Sequence, residues 1–317
     1  VTPSPVVIYH KQLGDALMME PALAKLAATS GERVRFSTRQ GFSPMVSLMA
    51  DVEYAGSLSL HRSSCVYSFS ERFHAAFKAL LIRSPSKRLL ALNPSSIKTW
   101  HHLIYNGGCT PITRTANYQA EHLFRSMPCE ETFPFRPPQL QPPPPTWMPN
   151  GLPQNYILLH ASAAWRRKAW PAENWARVLD SLHAEGLGPF VLTGGNAVWE
   201  RQLASRIKQS TRASLHDLSG QTTLQNYIGL VAAARMVLCI DGSAAHLAAA
   251  FRRPVVALFG PTSSDRWFYP SPTSVLVDAR GFSREFKPPV DAIPIEAVTR
   301  ATLNLWGLTE LSTGLSN

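Results

Sequence analysis

The sequence is short of acids, of charge in general and of long apolar runs. Only 16% of its 317 residues are charged, Asp and Glu together number 21, and 45% of the residues are hydrophobic. That balance excludes a disordered chain and a coiled coil. No uninterrupted apolar stretch approaches the ~20 residues of a membrane-spanning helix. The opening VTPSPVVIYH lacks the basic start and long apolar centre of a secretory signal. A cytoplasmic protein is expected, at most peripheral to a membrane. Cysteine is scarce as well: Cys65, Cys109, Cys129 and Cys239 form no C-x-x-C pair and no Cys/His cluster at zinc spacing. Structural thiols in a reducing compartment are expected, with no metal and no cofactor. The chain begins with Val rather than Met, so a short N-terminal piece is expected to precede it.

Cations and prolines are abundant. Lys plus Arg number 31, giving a net charge of +10, which suits an anionic partner: nucleic acid, a phosphorylated metabolite or an acidic membrane surface. The excess is largest between Arg62 and Arg88, where six cations face one acid, Glu71. A solvated helix face is the plainer reading of that segment, and a cationic rim for an anionic acceptor or bilayer the functional one. No nucleic-acid module accompanies it, so nucleic acid is disfavoured. The length exceeds what one core supports, so two domains are expected. Nine of the 26 prolines fall within Pro134 to Pro153, which forbids helix and central strand and reads as the interdomain linker. A Pro-x-x-P docking site is the weaker reading there. The domains are then 1–133 and 154–293, with the linker at 134–153 and a final helix in 294–317.

After the linker, strands at Tyr156–His160, Phe190–Thr193, Met236–Ile240 and Pro254–Phe259 alternate with helices at Pro171–Gly186, Val198–Ile207, Leu224–Ala234 and Ser243–Phe251. The first half repeats this less cleanly: strands at Pro5–Tyr9, Val34–Ser37, Leu89–Leu92 and Thr110–Thr113, a turn at Leu13-Gly14-Asp15, and a helix over Ala16–Ala28. The pattern is α/β with parallel sheets, and ligands bind such sheets at the carboxyl ends of the strands.

Four strand-to-helix turns carry the candidate chemistry. In His10-Lys11-Gln12-Leu13-Gly14-Asp15, Asp15 reads as a helix N-cap, structural on that count alone, yet ionised and able to accept a proton. The turn from His160 to Pro171 contains Ser162 and the run Arg166-Arg167-Lys168, suited to a phosphate, or to a plain basic surface loop. In Ile240-Asp241-Gly242-Ser243-Ala244-Ala245-His246, a carboxylate precedes unpaired N–H groups at a helix start, which favours an anion. Phe259-Gly260-Pro261-Thr262 ends the next strand. No G-x-G-x-x-G follows the first strand of either half, and no G-x-x-x-x-G-K-[ST] occurs, so dinucleotide oxidoreductase and P-loop readings lose support. A D-x-D triplet is also absent. Lysine and a helix dipole could then replace a divalent cation at a departing diphosphate.

The segments VVIYHKQLGDALMMEPALAKL, ILLHASAAWRRKAWPAENWARVL, FVLTGG and CIDGSAAHLAAAFRRPVVALFGPTSSDRW resemble the ADP-heptose:lipopolysaccharide heptosyltransferases, glycosyltransferase family 9. The resemblance implies the GT-B fold, two Rossmann-like domains whose parallel sheets face each other across a central cleft, with the final helix packing back on the first domain. It implies inverting, metal-independent transfer of a heptose-like sugar from an ADP-sugar. The acceptor would be a hydroxyl of an anionic saccharide or glycolipid such as lipopolysaccharide core, at the cytoplasmic face of the inner membrane. Asp15 matches the general base. Ser162 and Lys168 match the donor-phosphate loop, and Asp241 matches the carboxylate on sugar hydroxyls. Gly242, Ser243, Ala244 and His246 match the lining of the diphosphate site. Residues 57–115 depart from the family, with Asn93 near the place of an expected Asp, so the acceptor is the least determined partner. A same-fold sugar-nucleotide epimerase and a catalytically silent sugar-nucleotide-binding protein are the alternatives.

Overall fold

The computed structural model describes residues 3–56 and 62–314. Residues 57–61, the start of the divergent stretch, lie outside the described residues. The chain forms two compact units, Val1–Gln141 and Pro142–Asn317, dividing inside the proline-rich segment. In the first, strands β1 (Val6–Ile8), β2 (Val34–Ser37), β3 (Val52–Tyr54), β4 (Val66–Ser68), β5 (Lys87–Ala91) and β6 (Cys109–Pro111) alternate with helices α1 (Leu13–Leu17), α2 (Glu20–Ser30), α3 (Ser43–Val46), α4 (Phe73–Leu81), α5 (His101–Ile104) and α6 (Gln119–Ser126). The second contains β7 (Ile157–His160), β8 (Phe190–Thr193), β9 (Leu215–Asp217), β10 (Met236–Ile240), β11 (Val255–Phe259) and β12 (Ser274–Asp278). Its helices are α7 (Ala172–Ala184), α8 (Val198–Ser210), α9 (Leu224–Ala233), α10 (Ser243–Ala250), α11 (Ser264–Trp267) and α12 (Ile295–Gly314).

Each unit carries a six-stranded parallel sheet, ordered β3-β2-β1-β4-β5-β6 and β12-β11-β10-β7-β8-β9. Both are the doubly wound order, in which the chain reverses direction between the first and fourth strands and leaves a crevice there. The crevices lie between β1 and β4 in one unit and between β7 and β10 in the other. Strands β10 and β11 are buried along their whole length, as sheets covered by helices on both faces require. Helix α7 turns Trp175, Val178, Leu179 and Leu182 into that core, and Gly186, at φ +80°, follows it.

Two expectations are corrected. The helix expected over Ala16–Ala28 is two helices, because Pro21, the second residue of α2, lacks the N–H that would bond back into α1. The turn expected at Leu13-Gly14-Asp15 is the opening of α1, which starts at Leu13 after an N-cap at Gln12. Asp15 is therefore the third helical residue and not the cap. Helix α12 buries Val298, Thr302 and Leu305, of which Val298 and Leu305 join the second unit's own core with Trp175 and Leu258. Arg235 fixes its far end, stacked 3.8 Å from the Trp306 ring and paired with Glu310 at 3.0 Å. The proline-rich segment is tied down at both ends. Arg136 grips the buried Glu20 with two bonds of 2.8 Å, and the Trp147 carbonyl accepts from Asn226 at 3.1 Å.

Candidate functional site

In the second unit the loops after β7, β8, β10 and β11 carry the candidate residues. Lys168 ends a single 3-10 turn, Arg166–Lys168, and its ammonium donates to Asp241 Oδ2 at 2.5 Å. The Thr262 hydroxyl donates to the same oxygen. Asp241 is buried, so its charge is met by one cation and one hydroxyl in a largely dry setting. Of the three consecutive cations, Arg167 instead stacks 4.6 Å from the exposed Trp165 ring. Lys168 and Asp241 belong to separate turns of the sequence, and the structure pairs them.

Ser162 is buried and donates to Glu200 Oε1 at 2.7 Å. Glu200 also accepts the Gly195 N–H at 3.2 Å and the Ala197 N–H at 3.3 Å, so it locks the phosphate-type loop to the Gly194-Gly195 turn. Glu200 is not among the residues expected from the sequence, although a Glu in the first turn of a helix after a Gly-Gly turn is a capping signal. Gly194 lets this turn pass close to two hydroxyls: a Cβ there would lie 3.3 Å from both Ser162 Oγ and Ser219 Oγ. Ser219 Oγ is buried without a partner among the described residues, a group whose hydrogen bond a ligand would complete.

Helix α10 starts at Ser243 with Gly242 as N-cap and no side chain capping it, so first-turn N–H groups, those of Ser243 and Ala244 included, are left without a side-chain cap, an arrangement that favours an anion. Ser243 Oγ pairs with the buried Tyr227 hydroxyl at 3.1 Å, and burial pushes the Tyr227 phenol up, keeping it neutral. His246, on the same helix, is lowered to about 4 by burial and by Lys168, against the opposing pull of Asp241. It offers a hydrogen bond and no charge at neutral pH. Burial also lowers His160 to about 4, with Nδ1 3.0 Å from Thr193 Oγ1.

In the first unit Asp15 lies half-buried in α1, after the loop that leaves β1. In the same unit basic groups gather around one hydroxyl. His10 Nε2 stands 3.2 Å from Ser37 Oγ and Lys78 donates to that oxygen at 3.3 Å. The His74 ring lies 4.9 Å from that of His10. Burial, then Lys78, His74 and Arg39, lower His10 to about 4. Asn93 sits in the exposed turn after β5, where its N–H donates to Glu71 Oε1 at 3.1 Å and its side chain accepts from Ser95 at 2.8 Å. Among the described residues no three His, Cys, Asp or Glu side chains stand together as metal ligands.

The sequence pattern of glycosyltransferase family 9 (heptosyltransferase) matches residues 123–287, more than half of the 317-residue chain. The chain belongs to this family. Lipopolysaccharide heptosyltransferase 3 of Escherichia coli is 30% identical over 118 residues, 37% of this chain and 34% of that protein. The chain thus matches about a third of the length of that curated relative. The structure of E. coli ADP-heptose lipopolysaccharide heptosyltransferase II superposes with a TM-score of 0.80 at 19% identity, covering 97% of this chain and 99% of that one. The structure of E. coli heptosyltransferase WaaC with ADP gives 0.75 at 18% identity, covering 95% and 99%. These likenesses show the fold of the family's heptosyltransferases, α/β with two doubly wound sheets. The family match includes Ser162, Lys168 and the turn Asp241 to His246, and leaves Asp15 outside it.

Proposed function

We propose that the chain is an inverting, metal-independent glycosyltransferase that moves a heptose-like sugar from an ADP-sugar to a hydroxyl of a phosphorylated oligosaccharide such as lipopolysaccharide core, in the cytoplasm. The observation that carries the reading is the buried Asp241 paired to Lys168 at 2.5 Å, directly before the uncapped start of α10. An ammonium and a row of helix N–H groups meet the two charges of the bound diphosphate and the further charge that develops as it departs, and the carboxylate can accept hydroxyls of the donor sugar. Asp15 takes the proton from the acceptor hydroxyl as its oxygen bonds to the anomeric carbon. The bond to phosphate breaks with its electron pair on the ADP oxygen, where Lys168 and α10 hold the charge.

Thermal unfolding with millimolar ADP, UDP or GDP tests the donor. ADP alone should raise the midpoint by several degrees, about 2.7 kcal/mol at a hundredfold excess over Kd. Lys168→Ala should remove most of that shift. Asp15→Ala should keep it while transfer to acceptor falls by about a hundredfold or more, and EDTA should leave transfer unchanged. If no nucleotide stabilises the protein, the reading fails; turnover of ADP-sugar without acceptor would assign an epimerase instead.

A further inference from the structure

Helix α4 turns apolar side chains outward. Phe73, Phe77 and Leu80 are 72%, 43% and 52% exposed and recur at i, i+4, i+7, one stripe of the helix. Ala75, Ala76 and Ala79 occupy its buried side. The Phe73 ring stacks on Phe77 at 6.3 Å and meets Trp100 edge-on at 5.9 Å. Leu103, three residues beyond Trp100 on α5, is 86% exposed. Four large apolar side chains on two neighbouring helices thus lie in water, joined by a half-buried Trp. An exposed patch of this kind marks an interaction surface.

Its surroundings are of one sign. Residues 62–120 contain eight Lys or Arg and a single acid, Glu71, whose carboxylate is engaged by the Asn93 N–H. Arg72 stands exposed at the start of α4 and Lys98 just before α5, while Arg83 is exposed beyond the end of α4. Lys78 turns away from the stripe to Ser37. The apolar stripe therefore runs between cations at both ends. A second copy of the same face would bring like charges together, whereas anionic headgroups over a hydrocarbon layer complement both parts.

We propose that this face docks the protein on an anionic lipid bilayer. Phe73, Phe77, Leu80 and Leu103 enter the headgroup layer, and Arg72, Lys98 and Arg83 meet lipid phosphates. Among the described residues no helix is long and apolar enough to cross a membrane, so the attachment is to the surface. The loop into α4 leaves the carboxyl end of β4, beside the β1 end that leads to Asp15. That the face presents a lipid-anchored acceptor to Asp15 rests on the transfer reading; the docking itself does not.

Sedimentation of the full chain with vesicles tests it. Binding to phosphatidylcholine:phosphatidylglycerol vesicles at low salt is expected, about tenfold or more weaker to phosphatidylcholine alone and weakened by salt. Phe73→Ser with Phe77→Ser should weaken binding by about tenfold or more, and Arg72→Gln with Lys98→Gln by roughly tenfold. All four side chains are exposed or rim the surface, so an unchanged melting curve and an unchanged ADP shift show that the fold and donor site are intact. Phe77→Trp should emit at shorter wavelength when anionic vesicles are added. No binding to anionic vesicles at low salt, or equal binding by the double Ser variant, overturns the proposal. So does self-association of the wild type that the Ser variant abolishes without any vesicle binding. Vesicle binding through this face without an ADP shift would leave the docking standing and sink the transfer reading; the reverse result would sink the docking alone.

Discussion

Asp241 holds together the chemistry of the second unit, because one buried oxygen accepts from both Lys168 and Thr262. Removing one member of such a buried pair leaves the other charge without its counterion, at a cost of about 3–5 kcal/mol. Asp241→Asn should therefore lower the stability of the nucleotide-free protein by that amount. A bound diphosphate would restore a counterion to Lys168, so ADP should stabilise Asp241→Asn more than it stabilises the wild type, while transfer is lost. Urea unfolding with and without ADP checks this, and a smaller ADP effect in the variant would remove Lys168 from the phosphate. Lys168 and Asp241 are legible in the sequence because each sits in a strand-to-helix turn with unusual local composition. Glu200 and Tyr227 are not, since they join the site through partners 38 and 16 residues away, Ser162 and Ser243. Those distances are closed by the pairing of β7 with β8 and the packing of α9 on α10.

Two glycines separate the support of these elements from the ligand they await. Gly260, at the end of β11, passes so close to the turn Val290–Ala292 that a Cβ would stand 2.7 Å from the Val290 nitrogen and 2.9 Å from its Cα. Backbone cannot swing aside as a side chain can. Gly260→Ala should cost about 1–3 kcal/mol, read as a lower urea midpoint with an unchanged m-value. Gly242 is extended, at φ −179°, and a Cβ there would meet nothing nearer than 3.7 Å. Gly242→Ala should leave stability within about 0.5 kcal/mol but place a methyl at the start of α10, so its ADP-induced midpoint shift should shrink. If Gly242→Ala bound ADP as the wild type does, the start of α10 would not be the phosphate site. The same contrast governs what could be read in advance. Strands β8 and β10 match their expected limits because they are uninterrupted apolar runs bounded by turns. Strands β3, β4 and β9 are three residues each, with one or two of the three side chains buried or none fully so. At that length neither alternation nor hydrophobicity distinguishes a strand from a loop, and only pairing defines them: β3 with β2, β4 with β1 and β5, β9 with β8. The fate of α12 was illegible for another reason: its apolar side fits any core, and the Arg235–Trp306 contact that settles its place is made by residues 71 positions apart.

At the scale of the whole molecule, burial lowers three imidazoles among the described residues to about 4 from 6.5: His10 in the first unit, His160 and His246 in the second. His10 and His246 are lowered further by neighbouring cations, Lys78 with His74 and Arg39 for the one, Lys168 for the other. A folded value below the unfolded one means that between pH 4 and 6.5 the unfolded chain binds more protons than the folded chain. The stability these groups contribute is therefore fully present above about pH 6.5 and is lost progressively as the pH falls towards 4. The urea midpoint should fall steadily from pH 7 to pH 5, with up to about one extra proton taken up on unfolding for each histidine. His160→Gln, which can keep a hydrogen bond to Thr193 but does not titrate, should flatten that slope by about one proton. Adding ADP at pH 6 distinguishes His246 from the other two. A diphosphate beside its ring favours the protonated form, so saturating ADP should reduce the loss of stability on acidification in the wild type, and should do so no longer in His246→Gln. An acid slope that ADP leaves unchanged in the wild type would place the nucleotide's charge away from α10.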